Sequence, residues 1–379
     1  MRRLPVLAAL IFGCIWTLSA HSRYDENQGN TKTFNVAGGG TLEVSVSGGD
    51  IEVTTTGKGE VTVRTEGEDE EGGGANIVQE GSTIRVTDGE DSDGESRYVI
   101  SIPSRFNLHL STANGNITVK GNVTGKIFCQ TSAGDVRVQD VDGTADLRTS
   151  GGDLRMGKVS GNATLTTSGG EIEVASSSGE LDLRSSGGGL KVGNVGKSLR
   201  AKTAGGDVII GDVGGEASVT TAGGNISVGA VTGNATLSTA GGNVDLRGGS
   251  GKIRAATSGG NMTLTNLSGS VNATTAGGDI EAELRPSGNG KSALSSSAGM
   301  IRLFLPASAK ATVEARIMVR GWWDDRDERY DIHSDFKADH SDRSQADGEI
   351  QATYVLNGGG ETIRVETVNS NIEIRKLNK

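Results

Sequence analysis

A glycine turn of the form TSGGD, as at Thr149, returns every eighteen residues along the middle of this chain, and it restricts the fold more than any other feature. Its second glycine falls at Gly134, Gly152, Gly170, Gly188, Gly206, Gly224, Gly242, Gly260 and Gly278 without a slip. A fixed period of this length signals a solenoid, because one unit is too small to bury a core and must stack on its neighbours. Length therefore does not convert into a domain count, although 379 residues would hold two or three ordinary domains. Sixty glycines against four prolines and 3% aromatic residues, with no triplet period, set the chain apart from both average globular proteins and collagen.

Two strands are expected in each unit. The strand after the turn carries apolar pairs such as Leu154/Met156, Ile172/Val174, Val208/Ile210, Ile226/Val228 and Ile280/Ala282, and their period of two puts each pair on one face. The other strand carries triplets such as Ala145/Leu147/Thr149, Ala163/Leu165/Thr167 and Ala217/Val219/Thr221. A further apolar position lies between the strands, at Val159, Val195, Val213, Val231 and Leu267. About six small side chains per coil point inward, while Asp153/Arg155, Glu171/Glu173, Asp182/Arg184 and Arg200/Lys202 alternate outward. The fold class that follows is all-β: a single-stranded β-solenoid, or parallel β-helix, with 18-residue coils and irregular terminal caps. Nine regular coils at about 4.8 Å would span roughly 40 Å before the flanks.

The threonine column (Thr149, Thr167, Thr203, Thr221, Thr239, Thr257, Thr275, with Ser185 in register) is expected inward or at a corner, its hydroxyls bonding adjacent turns and one another. The Asp/Asn/Glu column at Asp153, Glu171, Asp207, Asn225, Asn243, Asn261 and Asp279 is expected to bond turn backbone. Cys129 lies eighteen residues before Leu147, in a triplet with Ile127 and Thr131, and is assigned to the core rather than to a nucleophile. Asn-x-Ser/Thr triplets at Asn162, Asn234 and Asn272 follow from the Asn-rich turns.

Residues 1–20 have the shape of a signal peptide: Arg2 and Arg3, an apolar stretch from Leu4 to Leu18, then Ser19 and Ala20. A lipoprotein modified at Cys14 and an uncleaved anchor are the alternatives. Removing Arg2 and Arg3 leaves 35 cations against 47 acids, about −12 instead of −10. Such a surface repels nucleic acid and anionic lipid. With Cys129 alone remaining, no intramolecular disulfide can form, and no membrane span is expected in the mature chain.

The expected organisation is a linker at 21–33, an N-terminal β cap or irregular coils at 34–110, regular solenoid at 111–300, and C-terminal strands and cap at 301–379. The acidic insertion EGEDEEGGG from Glu66 is assigned to a solvated loop. The C-terminal YVLNGGGETIRVETVNSNIEIRK returns to the repeat and is expected to close the rod, since an open coil exposes strand edges. Between 320 and 349 lies an acidic insertion with Trp322, Trp323, Tyr330 and Phe336. These aromatics are assigned either to the interior of a cap or to a contact platform, with Trp322, Trp323 and Tyr330 as the candidate partner contacts. Asp324, Asp325, Asp327, His333, Asp335, Asp339 and His340 raise a metal reading, yet no recognised ligand spacing is present.

The repeat, the SIPSRFNLHLSTANGNITV entry at Ser101 and the closing LNGGGETIRVETVNSNIEI occur together in an order that resembles the bacterial putative-adhesin family of exported β-strand-repeat proteins, a domain of unknown function. The resemblance covers roughly residues 34–379. It implies a β-solenoid in the cell envelope or outside the cell, and it supplies no catalytic residues.

The function expected is that of a non-enzymatic exported interaction, adhesion or envelope scaffold protein. It would reside in the periplasm, at the cell surface or outside the cell. An envelope or extracellular protein or glycan is the expected partner, self-association is open, and no cofactor or nucleic acid is called for. Envelope-stress sensing is one alternative and a polysaccharide-active β-helix enzyme another. The enzyme would need acids clustered on one coil face, whereas the outward charges here scatter and change sign. Hexapeptide acyltransferase, calcium-binding nonapeptide and ice-binding solenoids each demand a register or an unbroken threonine face that this repeat lacks.

Overall fold

Period-two alternation combined with a fixed offset leaves each strand one natural partner: its own equivalent one coil later. The computed structural model, which describes residues 31–36, 38–66, 75–89, 96–286, 290–320, 329–344 and 348–377, has this pairing along the regular array in the middle of the chain. In the first ladder Val136, Leu154, Ile172, Leu190, Val208, Ile226, Val244, Met262 and Ile280 stand in parallel register. The second aligns Ala145, Ala163, Leu181, Leu199, Ala217, Ala235, Ile253 and Val271. A short third ladder joins Val141, Val159, Ser177, Val195, Val213 and Val231. The inward side chains form one continuous buried cluster, and no described residue is helical. The chain is a β-solenoid.

The second glycine of each turn is required by proximity and not by backbone angle. None of Gly134 to Gly278 in the series has positive φ, yet a Cβ on Gly152 would sit 2.1 Å from the Gly134 carbonyl oxygen. The turns of successive coils rest directly on one another.

The threonine column closes this contact. Each hydroxyl donates to the turn glycine carbonyl of the coil before it, and all but that of Thr203 accept the glycine N–H of their own turn. Thr239 Oγ1, for example, lies 2.9 Å from Gly224 O and 3.2 Å from Gly242 N. The hydroxyls therefore bond the glycine backbone and not, as expected, one another. At the head of the next strand, each Asp or Asn side-chain oxygen accepts the N–H of its counterpart one coil on. The run Asn225, Asn243, Asn261, Asp279 has spacings of 2.8 to 2.9 Å. Asn162 and Asn234 do the same for Glu180 and Lys252 at a second corner, both at 3.0 Å.

Cys129 is fully buried between Leu110 and Leu147 in the second ladder, and burial pushes its thiol pKa far up. A thiol reagent should leave it untouched in the native protein and titrate one thiol after denaturation of the chain beginning at His21. Rapid labelling of folded protein would contradict its place in the core.

Both ends depart from sequence order. At the N-terminal end, Thr41–Gly48 pairs with Asn107–Asn114 on one side and with Thr83–Thr87 on the other. Ile51–Thr56 likewise lies between Ile117–Lys120 and Arg97–Pro103. The first coil is thus enclosed by two that follow it in sequence. The C-terminal end mirrors this. Glu361–Val368 pairs with Lys291–Ser296 and with Ala311–Met318, while Ile372–Lys376 lies between Ile301–Leu305 and Ile332–Ser334.

The final segment, expected from its sequence to close the rod, is therefore an interior coil. Closure falls to antiparallel strands: Glu349–Leu356 on Ala311–Met318, with His340–Ser344 outside it, and at the other end Glu60–Glu66, Thr31–Asn35 and Asn76–Glu80. These short edges, flanked by charged side chains, protect the ladders from further pairing. Among the described residues fifteen coils stack along the axis, a rod of about 70 Å at about 4.8 Å per layer.

Candidate interaction surface

Because the inward positions belong to the core and the corners to the side-chain columns, chemistry is left to the outward positions. On the second ladder, two outward columns flank a trough. One runs through Asn107, Lys126, Thr144, Asn162, Glu180, Ser198 and Glu216; the other through His109, Phe128, Asp146, Thr164, Asp182, Arg200 and Ser218. Cavities of about 520 and 440 Å³ share Asn162 and Thr164, so the trough is continuous from Thr41 to Thr236. It crosses nine layers, about 40 Å.

Phe128 is half-buried at one end of it. Its ring meets His109 edge-on at 4.6 Å, and the Arg148 guanidinium lies 5.6 Å from its centre. Arg148 is held by two bonds to Asp146, at 2.9 and 2.7 Å, and Arg184 repeats this on Asp182. These bonds raise both guanidinium pKa values. Lys126 and Arg200 have no ion pair among the described residues.

A second groove, of about 550 Å³, lies on the first ladder beside Lys120, Arg137 and Arg155, over the floor left by Gly121 and Gly157. Its cations are engaged: Lys120 with Glu52 at 2.5 Å, Arg137 with Asp135 at 2.7 Å, Arg155 with Asp153 at 3.0 Å. Lys120, and after it Arg97, hold the Glu52 carboxyl below its usual range by hydrogen bonding.

The sequence-derived candidates fare differently. Trp322 and Trp323 lie outside the described residues, as do Asp324, Asp325 and Asp327, the signal segment and Cys14. Tyr330 and Phe336 are partly buried and pack against the core. The acids of the metal reading that are described have separate partners. Asp335 accepts the Lys376 N–H at 3.0 Å and binds Arg375 at 3.3 Å, which lowers its pKa, the backbone bond contributing most. Asp339 accepts the Val355 N–H at 2.6 Å. No three His, Cys, Asp or Glu side chains among the described residues are grouped to hold a metal, and no described helix is long and apolar enough to cross a membrane.

Phe128 was not among the sequence candidates. The available signal is alternation: a residue between inward Ile127 and inward Cys129 must face out, and an outward aromatic is rare in this array.

Residues 40–211 and 196–321 match the family model described as Toastrack DUF4097. Among solved structures the chain is similar to a putative cell adhesion protein from Clostridium sporogenes (8% identity, 92% of this chain and 99% of that one, TM-score 0.16). It is similar also to a putative adhesin from Bacteroides fragilis (10%, 92% and 96%, TM-score 0.19) and to a putative lipid binding protein from Parabacteroides distasonis (11%, 92% and 98%, TM-score 0.21). Likenesses at such TM-scores carry no argument about this chain. No curated protein matches it.

Proposed function

We propose, from the premise that the chain belongs to the Toastrack DUF4097 family, that it is a non-enzymatic exported protein of the bacterial envelope or cell surface. Its role is to hold a partner along the outer face of its solenoid, as adhesin or scaffold. The observation that carries this reading is the distribution of side chains. Inward positions are occupied by core and corner bonding, while the outward grooves extend along many layers without bringing a nucleophile, a base and an oxyanion site to one place among the described residues. Many modest contacts along a repeated surface suit avidity rather than turnover.

The test is an assay of the purified chain from His21 onward on neutral, acidic and N-acetylated polysaccharides, read by new reducing ends and unsaturated products. Substrate is expected to remain intact while envelope material is retained on the immobilised protein. Sustained product formation would overturn the reading in favour of a polysaccharide-active enzyme.

A further inference from the structure

We infer that the trough from Thr41 to Thr236 takes a linear, uncharged glycan lying along the solenoid axis, with Phe128 as its stacking anchor. This rests on the reading of the chain as a binding protein and names the class of its ligand.

Backbone bonding narrows the occupant first. Ile127 to Gln130 pair with Leu108 to Ser111 on one side and with Ala145 to Arg148 on the other, so the strand N–H and C=O groups under the trough are already occupied. A peptide laid across the layers would find no main-chain complement, because strand addition needs a free edge. An occupant of the trough meets side chains alone.

Asn, Ser and Thr side chains outnumber charged ones along the trough lining, nine to six. Asn107 and Asn162 give their amide oxygens to the N–H groups of Lys126 and Glu180, at 2.9 and 3.0 Å, which leaves each NH2 as a donor. The hydroxyls of Thr144, Thr164, Ser198 and Ser218 donate and accept, matching sugar hydroxyls in both senses.

Charge is balanced. Asp146 and Asp182 are paired with Arg148 and Arg184, and Lys126 and Arg200 stand against Glu180 and Glu216 in the same trough. No field of one sign favours a polyanion or a polycation. Phe128 adds an apolar ring in a polar channel, the combination that orients a ligand with one C–H face and a hydroxylated rim. Outward positions return at about 4.8 Å per layer, so a polymer gains contacts along the trough.

The test is calorimetric titration of the chain from His21 onward with cellohexaose, chitohexaose and maltohexaose, and with a hexagalacturonate as anionic control. At least one neutral hexasaccharide should bind, its disaccharide at least 10-fold more weakly. Phe128→Ala should weaken it at least 10-fold with the thermal midpoint unchanged. Thr164→Trp, which fills the junction of the two cavities, should abolish it. Three results would each overturn the assignment: no neutral hexasaccharide binds, the anionic control binds better, or both variants bind like the parent. If envelope material is retained equally by parent and Phe128→Ala while no hexasaccharide binds, the trough assignment fails and the broader binding reading stands. Hydrolysis of a hexasaccharide would overturn both.

Discussion

Deleting residues 357–379 is expected to melt the C-terminal end of the rod while leaving its middle folded. The lost coil carries Ile363, Val365, Ile372 and Ile374, each at 0% exposure, on the order of 6 to 12 kcal/mol of apolar burial. Its place matters more than its size. Glu361–Val368 is the parallel partner of both Lys291–Ser296 and Ala311–Met318, and Glu361 accepts the Ser292 hydroxyl at 2.8 Å in a buried site. Without the coil these flanking strands face an empty layer. Amide hydrogen exchange should show protection over 311–318 and 349–356 falling by about 100-fold or more, with 141–267 little changed, because stability in a stacked array is shared between neighbours. Full protection over 311–318 in the truncated protein would show that the cap stands without the last coil.

A single added methyl group should have the next largest effect. In Gly224→Ala the new Cβ would lie 2.1 Å from the Gly206 carbonyl oxygen, 2.4 Å from its carbon and 2.7 Å from the Asp207 nitrogen. All three are backbone atoms, with no rotamer to yield. Overpacking elsewhere costs about 1 to 3 kcal/mol, and here relief requires prising two coils apart, so a loss of about 3 kcal/mol or more is expected. The neighbouring Gly223→Ala is the control: its Cβ would meet the Gly205 oxygen at 3.4 Å, an ordinary contact, and its cost should stay under about 1 kcal/mol. Urea midpoints of the two variants decide the matter. Equal losses would mean that close approach is not why the second glycine is there.

The regular coils were legible because one rule, alternation at a fixed offset, determines partner, face and register together. Leu147, Leu165 and Leu183 had one self-consistent place to go. The threading of the ends was not legible in the same way. TLEVSV at 41, TIRVT at 83 and NLHLST at 107 share one alternation, and alternation says which side of a strand is buried without saying which strand lies above it. A faint signal did exist. SGGD at 47–50 is a complete turn, and in the structure Gly49 accepts the Thr112 hydroxyl at 3.2 Å while Asp50 accepts the Asn116 N–H at 2.7 Å. These are the array's own corner bonds, made across more than sixty residues. The sequence between Thr83–Thr87 and Arg97–Pro103 has no such turn, and these two strands form the last parallel layer, beneath the antiparallel closing strands. For the candidate surface, outwardness of Phe128 was legible, but the trough depends on two columns lying side by side over many layers, which no single repeat unit displays.

The enclosed coils bear on how the rod would respond to load. In a solenoid wound in simple sequence order, tension on a terminus strips the last coil across one row of hydrogen bonds, and each coil then follows in turn. Here tension on the C-terminus meets Ile372–Lys376 with Ile301–Leu305 on one side and Ile332–Ser334 on the other. Two rows must yield before anything unwinds. The C-terminal strand is fastened as a tongue between two boards, so resistance to peeling at that end is built into the order of stacking and needs no covalent staple.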